Sequence, residues 1–160
     1  MGVGNTLLQD DGVGVHVTES LRANPDDDSG SGDMVLDLVD GGTIGLSLLP
    51  ALEDADSVIV VDASELGERA GTLRIFRDDE IDLQLSGKRR TVHEVALADL
   101  FAAAGIRGRG PARRALVAIQ PASTELGLAL TPDVQAAVPR ARAAVLALAR
   151  QWRAEECAHA

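Results

Sequence analysis

Two carboxylates and one histidine occupy positions where they could act together on a metal ion. Asp62 directly follows the apolar run at residues 58–61, and Asp11 is the second of two adjacent acids behind a glycine-rich start. His93 lies in a segment with the form of a helix cap, where the positive helix end keeps an imidazole neutral and able to bind a metal. Two carboxylates and one imidazole would form an open site for zinc, manganese or nickel. We therefore predict one metal-associated site from Asp11, Asp62 and His93.

Each of these residues also has an ordinary structural explanation. Asp10 or Asp11 could cap the free backbone N–H groups of a following helix, and Asp62 could cap a helix after its strand. His93 could be a surface residue, as we expect for the other two histidines. The residue types and their spacing leave both interpretations open.

The elements that must position these residues alternate between apolar strands and amphipathic helices. Nearly continuous apolar runs are typical of parallel strands covered on both faces, and apolar residues repeated every three or four positions indicate helices. Functional side chains in such folds gather beyond the carboxyl ends of the strands. We predict one domain over residues 1–160, a three-layer α/β sandwich with a twisted, mainly parallel sheet and helices on both faces. The strands are predicted at residues 34–39, 58–61, 72–76 and 116–119, with 72–76 at an edge of the sheet. The helices are predicted at residues 13–24, at 46–55, after 91 and from 131. Pro139 should either kink the last helix or mark its true start.

Two segments are expected to lack regular structure. Residues 25–33 contain several acids and turn formers and no apolar side chain, which predicts a mobile acidic loop, with a cation site as the alternative. The tail at residues 155–160 is expected to fray.

The composition excludes several classes of partner. A formal net charge of -10 opposes binding to nucleic acid, because that affinity comes largely from lysine and arginine. No apolar run approaches the roughly 20 residues that span a bilayer. No signal peptide follows Met1, and the single cysteine, Cys157, cannot form an internal disulfide. We therefore expect a cytoplasmic monomer that binds neither nucleic acid nor a membrane.

Six motifs that follow one another along nearly the whole chain belong together. Residues 2–15 combine a glycine loop, an asparagine, two adjacent acids and a spaced Gly-x-Gly. The others are Asp40-Gly41-Gly42-Thr43, Val60-Val61-Asp62-Ala63, His93, Ile119-Gln120-Pro121 and residues 127–132. The set resembles the hydrogenase maturation endopeptidases, which remove the C-terminal extension from the large subunit of nickel-iron hydrogenases after nickel has been inserted.

The resemblance implies roles for individual residues. The family's metal ligands fall on Asp11, Asp62 and His93, which become the expected catalytic and nickel-contacting residues. Asp40, Gly41, Gly42 and Thr43 match the segment implicated in substrate recognition. The nickel would be carried by the substrate, the large-subunit precursor. Two alternatives remain: a truncated relative that binds a hydrogenase subunit without cutting it, and a zinc or manganese hydrolase for small molecules.

The start of the chain departs from the family pattern. Relatives begin with an apolar strand before the glycine loop, where this sequence has only Met1. Burial of about five apolar side chains at roughly 1.5 to 3 kcal/mol each contributes on the order of 10 kcal/mol. That is comparable to the net stability of a domain, about 5 to 15 kcal/mol. We therefore expect a first strand that is missing or truncated. Either the start codon was placed too late, which is the explanation we favour, or the fold of the protein as written is compromised.

Overall fold

The computed structural model describes the backbone of residues 1–24, 36–43, 45–86 and 92–159, and the side chains of these residues except 92–94 and 159. The predicted acidic loop at residues 25–33 lies outside the described residues. In the described part of the chain, no helix has the length and apolar character that crossing a membrane requires.

Five strands form one sheet with the spatial order β2-β1-β3-β5-β4. β1 pairs in parallel with β2 and β3, and β3 pairs in parallel with β5. β4 is antiparallel to β5 and lies at the edge, as the alternation of its residues predicted. The strands are β1 (Gly2–Val3), β2 (Asp40–Gly42), β3 (Ser57–Ala63), β4 (Leu73–Arg77) and β5 (Arg113–Ile119).

Helices cover both faces of the sheet. They are α1 (Val13–Ala23), α2 (Leu49–Glu53), α3 (Asp79–Leu85), α4 (Val92–Ile106), α5 (Pro132–Gln135) and α6 (Val138–His159), with short 3-10 turns at Gln9–Gly12 and Leu46–Leu48. Because successive strand residues point to opposite faces, Val61 and Val117 join the core under α1 and α6. Val60 and Leu116 join the core under α2, α3 and α4. The predicted three-layer sandwich with a mainly parallel sheet is confirmed.

Glycine lets α1 lie directly against the sheet. A Cβ atom at Gly14 would collide with the carbonyl oxygens of Val3 and Val61, in β1 and β3. The Thr18 hydroxyl, on the same side of α1, donates to the Gly14 carbonyl at 3.1 Å. This close approach fixes the start of α1, and with it the 3-10 turn that precedes the helix.

The strand predicted at residues 34–39 is wrong in position. Residues 36–39 are not in a strand, residues 34 and 35 lie outside the described part, and β2 begins at Asp40. Because its neighbour β1 has two residues, the ladder between them is short. Leu36 and Leu38 instead pack against the core on the α1 and α6 face.

The last helix starts where a proline predicted and ends later than expected. α6 begins at Val138 with Pro139 in its first turn, which confirms Pro139 as a marker of the true start. The helix continues to His159, although we expected fraying from residue 155. Arg113 of β5 explains the extension, because its Nη1 lies 3.6 Å from a carboxylate oxygen of Glu155 and 3.5 Å from one of Glu156.

Candidate active site

The adjacent strands β1 and β3 bring two of the predicted site residues to one edge of the sheet. After β1 the chain passes through residues 4–8, which we call the glycine turn because it begins with Gly4. It then enters the 3-10 turn Gln9–Gly12, which contains Asp11. Asp62 is the penultimate residue of β3, and the 3-10 turn packs against this strand. Asp11 and Asp62 are both buried. They therefore lie at the carboxyl edge, where functional groups of parallel sheets gather.

The Asp11 side chain is hydrogen-bonded to the backbone of the glycine turn and does not cap the helix that follows. The backbone N–H of Asn5 donates to Asp11 Oδ2 at 2.8 Å. The N-terminal residue of α1 is capped by Gly12, with no side-chain capping bond. The interpretation of the paired acids as helix caps is therefore wrong.

Asp10 is a structural carboxylate that holds the two loops of this edge together. Its Oδ2 accepts hydrogen bonds from the backbone N–H groups of Ala122 and Ser123, at 2.9 and 3.1 Å, and from the Thr131 hydroxyl at 2.8 Å. Its Oδ1 accepts from the Thr131 N–H at 2.7 Å. Thr131 precedes α5 directly, and its side chain makes no capping hydrogen bond to that helix. Asp10 thus fixes the loop at residues 121–131 against the 3-10 turn.

Asp62 belongs to the strand itself. It is paired in register with Ala118 of β5, and its side chain is fully buried. The residues between β3 and β4 form no helix, so the interpretation of Asp62 as a helix cap is wrong. A carboxylate is costly to bury unless hydrogen bonds, charges or a metal compensate, which makes such a position typical of a functional group.

The loop after β3 is positioned by a residue whose role the sequence did not reveal. Gln120 follows β5 directly, and its Oε1 accepts from the N–H groups of Leu66 and Glu68 at 2.7 and 3.3 Å. A polar residue between a buried strand and Pro121 was the available signal. Gln120 keeps this loop against the end of β5, on the side of β3 opposite to Asp11.

His93 lies in the first turn of α4, as the capping pattern predicted. Its side chain is outside the described residues, so the meeting of Asp11, Asp62 and His93 remains a prediction. Among the side chains that are described, no three histidines, cysteines, aspartates or glutamates are grouped so that they could hold a metal ion.

The segment Asp40-Gly41-Gly42-Thr43 lies beside the glycine turn. The Gly4 N–H donates to the Gly42 carbonyl at 2.7 Å, and the Gly42 N–H donates to Asp40 Oδ1 at 2.9 Å. Gly42 has a φ of 48°, which favours glycine. Thr43 follows β2 and is exposed. The segment is therefore a turn of fixed conformation at the end of β2, the strand next to β1.

A cavity of about 760 Å³ lies at the other end of the sheet. Its lining includes Met1, Ser57 at the start of β3, and Trp152. None of the predicted site residues lines it, so this cavity lies apart from the candidate site.

Comparison with known proteins agrees with the geometry. A family model described as "Hydrogenase maturation protease" matches residues 15–148. The Hydrogenase 2 maturation protease of Escherichia coli (strain K12) is 35% identical over 155 residues, which cover 94% of this chain and 89% of that protein. Hydrogenase expression/formation protein HupD of Rhodobacter capsulatus is 35% identical over 162 residues, 97% of this chain and 72% of that protein.

A solved structure gives the same result. The hydrogenase maturating endopeptidase HybD from Escherichia coli superposes with a TM-score of 0.81 at 34% identity, covering 94% of this chain and 90% of that one. The resemblance of the sequence motifs is thereby confirmed. The chain belongs to the hydrogenase maturation protease family and is an endopeptidase.

Proposed function

We propose that this protein removes the C-terminal extension of a nickel-iron hydrogenase large-subunit precursor after nickel has been inserted, and that it works as a cytoplasmic monomer. The observation that carries the proposal is the burial of Asp11 and Asp62 at the adjacent carboxyl ends of β1 and β3. Two carboxylates at this edge of a protease fold can bind a cation and take part in hydrolysis.

Asp11, Asp62 and His93 contact the nickel ion that the precursor carries. The two carboxylates supply hard oxygen ligands, and the His93 imidazole, at the start of α4, supplies a nitrogen ligand. The Asn5 N–H holds Asp11 in one orientation. Nickel then reports that the precursor is assembled, because only a loaded precursor completes the contacts.

Hydrolysis of the peptide bond needs a group that accepts a proton from water. Asp11 and Asp62 are the carboxylates at this edge that can do so. Asp10 is engaged in four hydrogen bonds and is excluded from that role. The precursor binds across Asp40, Gly41, Gly42 and Thr43, where glycine backbones let another chain approach closely.

The test is processing of nickel-loaded and nickel-free precursor by the same enzyme. The expected result is a mass decrease of the loaded precursor equal to one C-terminal peptide, and none for the nickel-free form. Equal processing of both forms would reject nickel recognition. Stable binding without any mass change would show the non-cleaving partner instead, and activity on small molecules alone would favour the general metal hydrolase.

A further inference from the structure

Three leucines are exposed together beside the candidate site. Leu7, Leu126 and Leu128 have 55%, 84% and 74% of their surface exposed. They flank an isolated parallel bridge between Leu8 and Gly127. In the register of that bridge Leu7 lies opposite Leu126, and Leu128 is the next residue after Gly127. We refer to Leu7, Leu126 and Leu128 as the leucine ridge.

The ridge is held in place rather than left loose. The Gly127 N–H donates to the Leu7 carbonyl, and the Gln9 N–H donates to the Gly127 carbonyl, both at 2.9 Å. A Cβ atom at Gly127 would lie 2.8 Å from Gln9 Cγ, so glycine lets the two segments approach without displacing the Gln9 side chain. The loop is further tied down by the bonds to Asp10. Exposed apolar side chains on a fixed backbone are typical of a binding surface.

The ridge is continuous with the candidate active site. The Leu7 N–H donates to Asn5 Oδ1 at 3.0 Å, and the Asn5 N–H donates to Asp11 at 2.8 Å. Asn5 therefore links the ridge to Asp11 through two hydrogen bonds. A polypeptide whose scissile bond lies at Asp11 and Asp62 would extend over neighbouring surface, and the ridge is apolar surface at that position.

The ridge also has backbone N–H and carbonyl groups that are available to bind another chain. Gly127 uses its N–H and carbonyl to bond Gln9 and Leu7. Among the described residues, none is hydrogen-bonded to the backbone N–H or carbonyl of Leu126 or Leu128. Main-chain groups beside exposed apolar side chains are what proteins use to bind a peptide segment.

We propose that the leucine ridge binds an apolar segment of the hydrogenase large-subunit precursor next to the bond that is cut. This inference rests on the proposed function, and it names the surface that binds the substrate. The segment covers the three leucine side chains and bonds to the open main-chain groups of Leu126 and Leu128.

The test is the double substitution Leu126→Ser and Leu128→Ser. Two exposed side chains in this protein provide matched controls elsewhere: Ile106 at the end of α4 is 88% exposed, and Leu83 in α3 is 74% exposed. The ridge variant should raise the KM for nickel-loaded precursor by about tenfold or more and leave kcat within about twofold, because uniform binding is lost. The double control Ile106→Ser and Leu83→Ser should keep the wild-type KM.

Direct binding of the precursor, measured by calorimetry, separates this inference from the proposed function. A wild-type protein that binds but does not cut would overturn the proposed function, while a tenfold weaker binding by the ridge variant would still support the ridge. Equal binding by wild-type, ridge and control proteins would overturn the ridge alone. Leu126→Met with Leu128→Met should restore binding. If the ridge substitutions instead convert a dimer to a monomer in sedimentation and leave KM unchanged, the ridge binds a second copy and the proposal is wrong.

Discussion

The two edges of the central sheet carry different kinds of side chain. At the carboxyl edge, buried Asp10, Asp11 and Asp62 lie among loops fixed by backbone hydrogen bonds. At the amino edge, Trp152 of α6 and Met1 border a cavity. The buried carboxylates lie where a substrate can use them, whereas the buried groups of the amino edge, Trp152 and the Met1 amino group, contribute to stability. Stability and chemistry should therefore respond separately to changes at the two edges.

The largest expected difference is between two aspartates at opposite ends of β3. Asp62→Asn should reduce precursor processing by at least about 10²-fold, because the amide is neither an anionic ligand nor a proton acceptor. Asp56, exposed just before β3 at the amino edge, is the matched control. Asp56→Asn should leave the rate within about twofold. Initial rates on nickel-loaded precursor measure both, with thermal melts to verify folding; equal rates would show that the edges do not differ in chemistry.

The next effect is on stability and belongs to the amino edge. Trp152 is buried in the core between α6 and the sheet, so Trp152→Ala should lower the free energy of unfolding by about 3 to 5 kcal/mol. Exposed Cys157, five residues further along the same helix, is the control, and Cys157→Ala should change the free energy of unfolding by less than about 0.5 kcal/mol. Urea denaturation measures both values. Processing per folded molecule should stay close to wild type, and a specific loss of kcat would contradict the separation of the edges.

A third effect follows from the buried amino group of Met1, which donates to the Ile59 carbonyl at 2.9 Å. Burial lowers the pKa of this group from 8.0 to about 6; Asp37 raises it and Arg22 lowers it to smaller extents. Between these two pKa values the unfolded chain binds more protons than the folded one, so stability should increase as the pH rises from about 6 to about 8. The gain is roughly 2 to 3 kcal/mol, and it is absent below the folded pKa.

Urea denaturation across this pH range checks the expectation for a chain with a free Met1 amino group. The same protein acetylated on Met1 has nothing to titrate there, so the difference between the two chains isolates Met1 from the histidines. Parallel stability curves for the two proteins would contradict the burial of a titrating amino group at the amino edge.

The sequence predicted those parts of the molecule that depend on local pattern. Pro139 marked the start of α6, and the alternation of Leu73 and Ile75 with charged residues marked β4 as an edge strand. The role of Asp10 was out of reach because its partners, Ala122, Ser123 and Thr131, lie more than a hundred positions away. The residues next to two adjacent acids favour the interpretation as a helix cap. The hydrogen bonds of Asp10 to the loop at residues 121–131 are visible only in the folded chain.

The strand before Asp40 was misplaced for a related reason. Its apolar residues fit the pattern of a strand, but the length of a β-ladder also depends on the partner strand. Leu36 and Leu38 pack against the core without pairing to another strand. The residues of the candidate site were proposed from their types and positions, and the family motifs added their roles. Spacing alone left capping and catalysis open for Asp11 and Asp62, and of these two interpretations the structure excludes helix capping.

The smallest expected effect returns to the carboxyl edge and concerns the shape of the turn after β2. A Cβ atom at Gly42 meets nothing within 4 Å, so Gly42→Ala introduces only the strain of a φ of 48°. That strain should lower the free energy of unfolding by about 1 kcal/mol. Gly45 is the matched control: its φ of -159° is extended backbone that alanine adopts freely. Gly45→Ala should be neutral or slightly stabilising, by at most about 1 kcal/mol.

These two alanine variants also decide whether the turn serves recognition. If the precursor binds across Gly42, the shifted turn should raise the KM for processing in Gly42→Ala, while Gly45→Ala keeps the wild-type value. A loss of stability in Gly42→Ala with no change in KM would mean that the turn supports the fold and does not contact the substrate. Because the strain is small, the protein remains folded in both cases, and the kinetic difference reports on the carboxyl edge alone.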